Sequence, residues 1–202
     1  MNTPDPDWFE AWDVSRETGL KLEAYVALLL KWQQTINLVA ASTLDSIWSR
    51  HIADSLQLAT SAESFERVAD LGSGGGLPGV VFAIYHDHPV VLVESDRRKA
   101  AFLSTVRREL ALKITLINKR VESQNLQDFD LITARAFAPL PRLLTAVFSQ
   151  TNYKGRLHLL KGQSWREEVD AAQKEFQFNW SAQPSKTDSK AVILTLDSLE
   201  RR

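Results

Sequence analysis

No cysteine occurs anywhere in the 202 residues. The chain can form no disulfide, present no thiolate nucleophile and build no cysteine-based zinc site. Long apolar runs are missing as well, since none approaches the ~20 residues that a membrane-spanning helix needs. The opening MNTPDPDWFEAWD is acidic and rich in tryptophan, unlike a secretory signal. These absences predict a soluble, cytoplasmic protein. Repeats and low-complexity linkers are also lacking, and one main domain is expected at this length. Excess charge is lacking too: 24 Lys and Arg stand against 25 Asp and Glu, with a pI of about 6.4. Such a chain is not basic all over, so any site for a polyanion has to be local. The charge is unevenly spread, with a net −6 over residues 1–66 and +5 over residues 67–202.

Glycine is scarce, and its placement is informative. Of only eight, five fall at Gly72, Gly74, Gly75, Gly76 and Gly79. They follow the apolar run Val68, Ala69, Leu71, which reads as a buried strand ending in a bend. Glycines in such a bend allow positive φ or let a ligand lie against bare backbone. Pro78 suits the first turn of a helix whose body is VVFAIYH. The stretch from Val68 therefore reads as strand, ligand loop and helix.

On either side the pattern is regular. Leu22, Tyr25, Val26, Leu29 and Leu30 form a helical stripe that predicts a helix over about 20–35. A second helical stretch is expected over 43–58, where His51 and Asp54 share one face and read as an ordinary surface pair. Beyond the glycine loop, strands are predicted over 90–94, 114–117, 130–133, 156–160, 178–182 and 191–196. Helices are predicted over 96–110, 139–148 and 164–176, with a loose segment at 183–190. Alternating strands and helices imply a doubly wound α/β fold with a mostly parallel, seven-stranded sheet and helices on both faces. Residues 1–66 are expected to form a helical extension packed on a core of residues 67–202.

In such a sheet the ligand lies beyond the carboxyl ends of the strands. Glu94, 22 residues after Gly72, is placed to accept hydrogen bonds from ribose hydroxyls. Two ligand classes remain open on the residues alone. A dinucleotide would use Gly74, Gly76 and Gly79 as GxGxxG, although Pro78 then lacks an N–H where a pyrophosphate would sit. S-adenosylmethionine would use Asp70 for its amino group and the D-x-G-x-G loop for its carboxylate.

The string DLGSGGGLPG, with NLVA and RHIADSL before it and ARAFAPL and LLKG after it, resembles the RsmG (GidB) family of ribosomal RNA small subunit methyltransferases. The resemblance runs from about Leu20 to Leu196, whereas Met1 to Trp12 carry no motif of that family. It implies a Rossmann-like class I fold and transfer of a methyl group from S-adenosylmethionine to N7 of a guanosine in the decoding-region loop of 16S rRNA. It also implies cofactor positions at Gly72, Leu77, Val121, Glu122 and Arg135.

The residues agree with that chemistry. Guanine N7 is a lone pair with no proton to lose, so the task is positioning and exclusion of water, without a general base or a metal. Zero cysteines exclude pyrimidine C5 methylation through a Cys adduct. The run ITARAFAPL also lacks the Asn/Asp-Pro-Pro-aromatic pattern of exocyclic amino methylation. RNA is expected to meet local cations, drawn from Arg97, Arg98, Lys99, Lys119, Arg120, Arg135, Arg142 and Lys161. Arg135, at the end of the fourth strand, is expected at the crevice rim as the residue most directly involved in transfer. The partner expected is 16S rRNA within the small subunit or an assembly intermediate, with the protein acting as a monomer. Competing readings are a nicotinamide-dependent oxidoreductase and a non-catalytic RNA-binding module for ribosome assembly.

Overall fold

A computed structural model describes residue 4 and residues 6–202. The chain opens with α1 (Pro6–Ala11) and α2 (Arg16–Gln33). Helix α2 starts earlier than its apolar stripe because Ser15 caps it, the hydroxyl accepting from the Thr18 N–H at 3.1 Å. The stripe is where the sequence places it: Leu22, Tyr25, Val26 and Leu29 are buried. In place of the single helix expected over 43–58, a 3₁₀ turn (Ala41–Ser46) and a π-helical turn (Ile47–Ile52) lead into α3 (Ala53–Thr60). Wide π turns gather at functional sites, and this one carries His51. Trp8 and Phe9 of α1 pack over it, meeting Trp48 edge-on at 5.5 and 5.8 Å. Met1–Thr3 and Asp5 lie outside the described residues.

The core follows as β1 (Val68–Leu71), α4 (Gly79–His86), β2 (Val90–Val93), α5 (Arg97–Glu109), β3 (Ile114–Ile117), β4 (Leu131–Arg135), α6 (Leu140–Val147), β5 (Arg156–Lys161), α7 (Trp165–Ala172), β6 (Phe176–Pro184) and β7 (Val192–Arg201). All seven strands join one sheet in the order β3-β2-β1-β4-β5-β7-β6. The first five are parallel, and β7 inserts antiparallel between β5 and β6. The short turn between β6 and β7 dictates this, because a few residues can join only antiparallel neighbours. Strand β6 starts two residues before its expected place, with Phe176 and Phe178 buried on alternate positions, and α7 is correspondingly shorter than the helix expected to 176.

Period-two alternation splits the core. Val68 and Leu131 pack with α2, α4 and α5 on one face, while Ala69, Leu71, Ile132 and Ala134 pack with α6 and α7 on the other. The strand order reverses between β1 and β4, so a crevice opens above their carboxyl ends. No helix among the described residues is long and apolar enough to cross a membrane.

Candidate functional site

Three glycines of the loop hold left-handed backbone: φ is +66° at Gly72, +56° at Gly74 and +90° at Gly76. At Gly74 an added Cβ would meet only the Gly72 carbonyl oxygen at 3.7 Å, so its face is open for a ligand. At Gly72 the same atom would lie 2.3 Å from the Phe137 ring. The aromatic of the ARAF motif thus closes over the first glycine. The loop is tied from both sides: Glu94 accepts from the Gly74 N–H at 2.8 Å and from the Asp96 N–H at 2.7 Å. On the other side the Tyr25 hydroxyl donates to the Gly75 carbonyl at 2.6 Å. Tyr25 reads in the sequence only as part of an apolar stripe, and no local signal marks its hydroxyl as a loop support fifty residues away.

Asp70 is fully buried beneath this loop. One carboxylate oxygen accepts from the Thr133 hydroxyl at 3.2 Å. The other, Oδ2, lies against Gly79 and makes no well-formed hydrogen bond among the described residues. Burial pushes its pKa up to about 7, against the opposing pull of nearby hydroxyls, the Gly79 N–H and Arg135. A buried carboxylate with an unmet acceptor fits a ligand that brings a cation to it.

Val121 and Glu122 form a short 3₁₀ turn beyond β3 and line a small cavity of about 170 Å³ with Gly72, Phe137 and Arg142. Lys119 and Arg120 line it too. Leu77 turns its side chain into the core under the loop. Arg97 and Arg98 are exposed at the start of α5.

Arg135 sits at the end of β4, held on two sides. Its guanidinium donates to Asp54 Oδ2 at 3.4 Å and to His51 Nδ1 at 2.8 Å. Because Nδ1 must accept, the His51 proton is on Nε2, which donates to the Thr43 hydroxyl at 2.7 Å. That hydroxyl passes its own hydrogen to the Ala40 carbonyl at 2.7 Å. His51 and Asp54 are therefore no surface pair, as their spacing alone suggests. Burial, followed by the charges of Arg135 and Arg50, lowers the His51 pKa to about 4. Lys161 is likewise engaged, donating to Glu168 at 2.8 Å and to the Ala138 carbonyl at 2.9 Å.

A glycine loop at the β1 end, an acidic residue at the β2 end and a terminal antiparallel β7 define a class I methyltransferase, whose cofactor is S-adenosylmethionine. A mutant of MtNAS solved in complex with S-adenosylmethionine has the same fold, with a TM-score of 0.60 at 16% identity over 96% of this chain and 80% of that one. The rRNA small subunit methyltransferase G family model matches residues 19–193. Ribosomal RNA small subunit methyltransferase G of Paracoccus denitrificans is 46% identical over 92% of this chain and 97% of its own. That of Gluconobacter oxydans is 42% identical over 93% and 97%. The chain belongs to this family of rRNA methyltransferases, and the dinucleotide reading of GxGxxG falls away.

Proposed function

We propose that the protein methylates N7 of a guanosine in the decoding-region loop of 16S rRNA, acting as a cytoplasmic monomer on the small subunit or an assembly intermediate. Residues 1–66 act as an extension that braces the site on the 67–202 core. The observation that carries the reading is the engagement of His51: one ring nitrogen accepts from Arg135 and the other donates to Thr43. The imidazole at this site is thus used up in holding an arginine. N7 needs no base, whereas an amino or hydroxyl acceptor has a proton to lose.

Bound S-adenosylmethionine supplies an electrophilic methyl on its sulfonium. Asp70 and the loop at Gly72, Gly74 and Leu77 would hold its methionine end, Glu94 its ribose, and Val121 with Glu122 its adenine. Arg135, fixed by His51 and Asp54, aligns the acceptor. Mapping of modified guanines in small-subunit rRNA, from cells with and without this protein, tests the assignment. A methyl found on any other atom, or no change at all, overturns it, and the latter outcome would favour a non-catalytic RNA-binding role.

Two expected results follow from the site. Gly74→Val should weaken S-adenosylmethionine binding at least tenfold by calorimetry. It should also cost roughly 1–2 kcal/mol of stability, since a β-branched residue is strained at φ +56°. Single-turnover methylation with excess enzyme and saturating S-adenosylmethionine, so that Asp70 is already engaged, should vary little between pH 6 and 8, because a group with pKa about 4 is already neutral there. His51→Gln, whose amide can still accept from Arg135 and donate to Thr43, should stay near the wild-type rate, and His51→Ala should fall about tenfold. An acid limb of tenfold per pH unit that vanishes in His51→Gln would make His51 the base.

A further inference from the structure

A second and larger cavity, of about 560 Å³, lies across the Arg135–Pro139 segment from the small one. Phe137 and Ala138 line both, so the Phe137 ring is a shared wall. On its far side stand Lys161 and Gly162 from the end of β5, Asp188 from the β6–β7 turn and Arg50 from the π turn. We propose that this cavity receives the acceptor nucleotide, turned out of the RNA, with Arg50 holding the phosphate beside it. The inference rests on the methyl-transfer reading above and assigns the place where the acceptor enters.

Three observations support it. The first is position. The groups suited to adenosine, Glu94, Val121 and Glu122, lie beyond β2 and β3, so the reactive end of the cofactor points toward β1 and β4. An acceptor must then approach from the β4 and β5 side, where this cavity opens. The second is size and lining. Its volume falls within the roughly 300–1,000 Å³ of small-ligand sites, and Phe137 gives an aromatic wall for an unstacked base.

The third is charge. Three cations line the cavity, and two are neutralised: Arg135 by Asp54 at 3.4 Å and Lys161 by Glu168 at 2.8 Å. The Arg50 side chain is exposed and makes no ion pair or hydrogen bond among the described residues, its charge acting on Asp54 and His51 only from a distance. A π turn places it one residue before His51, so the turn that fixes Arg135 also aims Arg50 at the cavity mouth. Phosphate contacts set register on a nucleic acid, and a guanidinium suits them.

Gly162 supplies a clean test. An added Cβ there meets nothing within 4 Å, and the backbone is not left-handed, so a large side chain can grow into the space without displacing neighbours. Gly162→Phe should keep the wild-type melting temperature and S-adenosylmethionine affinity by calorimetry, while methylation of small subunits falls at least a hundredfold. Arg50→Gln should raise the KM for small subunits at least tenfold, more than it lowers kcat, and reduce the slope of log affinity against log salt by about 1. A binding arm separates this proposal from the reaction itself. Guanosine 5′-monophosphate should bind wild-type protein saturated with S-adenosylhomocysteine, more weakly Arg50→Gln, and not Gly162→Phe, as followed by NMR titration. Binding that survives Gly162→Phe, or wild-type turnover by that variant, overturns the cavity assignment. Nucleotide binding that obeys the pattern in a protein that leaves guanine N7 unmodified overturns only the reaction.

Discussion

Asp70→Asn should weaken S-adenosylmethionine binding at least tenfold and, at the same time, make the free protein more stable above neutral pH. The two effects share one cause. Asp70 is buried with an oxygen that makes no well-formed hydrogen bond among the described residues, and its pKa is raised to about 7 from an ordinary value of 3.8. Between those values the folded chain binds more protons than the unfolded one, so the group favours folding in acid and this advantage disappears as pH rises toward 7. The difference corresponds to at most about 4 kcal/mol at 1.4 kcal/mol per pH unit. Asparagine removes the charge, can turn its carbonyl to the Gly79 N–H and can donate its amide to the Thr133 hydroxyl. Melting temperatures of variant and wild type should therefore nearly coincide near pH 4 and separate progressively up to pH 7, the variant being higher. Calorimetry at pH 8 reads the other half, because a cationic amino group then loses its buried counter-charge. Unchanged affinity would remove Asp70 from the site.

Arg135→Ala should lower kcat/KM for methylation at least tenfold, or about 1.4 kcal/mol of transition-state stabilisation. A bare arginine at a crevice rim could be removed with little effect on folding. The structure changes that expectation, because Arg135 and Asp54 have side chains only 16% exposed and face each other. Deleting the guanidinium leaves a mostly buried carboxylate without its cation, and burial already raises the pKa of Asp54. A loss of about 1–3 kcal/mol of stability is expected beside the loss of activity. The double variant Arg135→Ala with Asp54→Asn separates the two: the melting temperature should recover while the activity does not. Arg135→Lys should restore part of the activity, since an ammonium cannot reach Asp54 and His51 in the same fork. Full activity in the double variant would reduce Arg135 to a structural role.

The sequence by itself determined the sheet, the loop and the family. Val68–Leu71, Val90–Val93 and Ile114–Ile117 are short apolar runs at the spacing of a doubly wound fold. Five of eight glycines in one stretch leave few local structures open to it, and Glu94 is legible as the acidic residue just beyond β2. These are local signals, set by backbone sterics and by hydrophobic periodicity, and they need no partner to be read.

What the tertiary structure decided is which polar groups meet. His51 and Asp54 look like a surface pair because a helical face says nothing of what packs on it, and Arg135 lies more than eighty residues away. The π turn that aims Arg50 and His51, and leads into α3 with Asp54, has no simple pattern in sequence, for Trp48 within it packs under α1. Tyr25 is similar: a core residue by period, and a loop support only because α2 crosses α4. Arg135 and Lys161, alike in the sequence as lone cations at strand ends, are both tied down in the fold, and Arg50 is the cation left free among the described residues lining the cavity. Ion pairs and buried hydrogen bonds join residues distant in the chain, so their partners are fixed by packing alone.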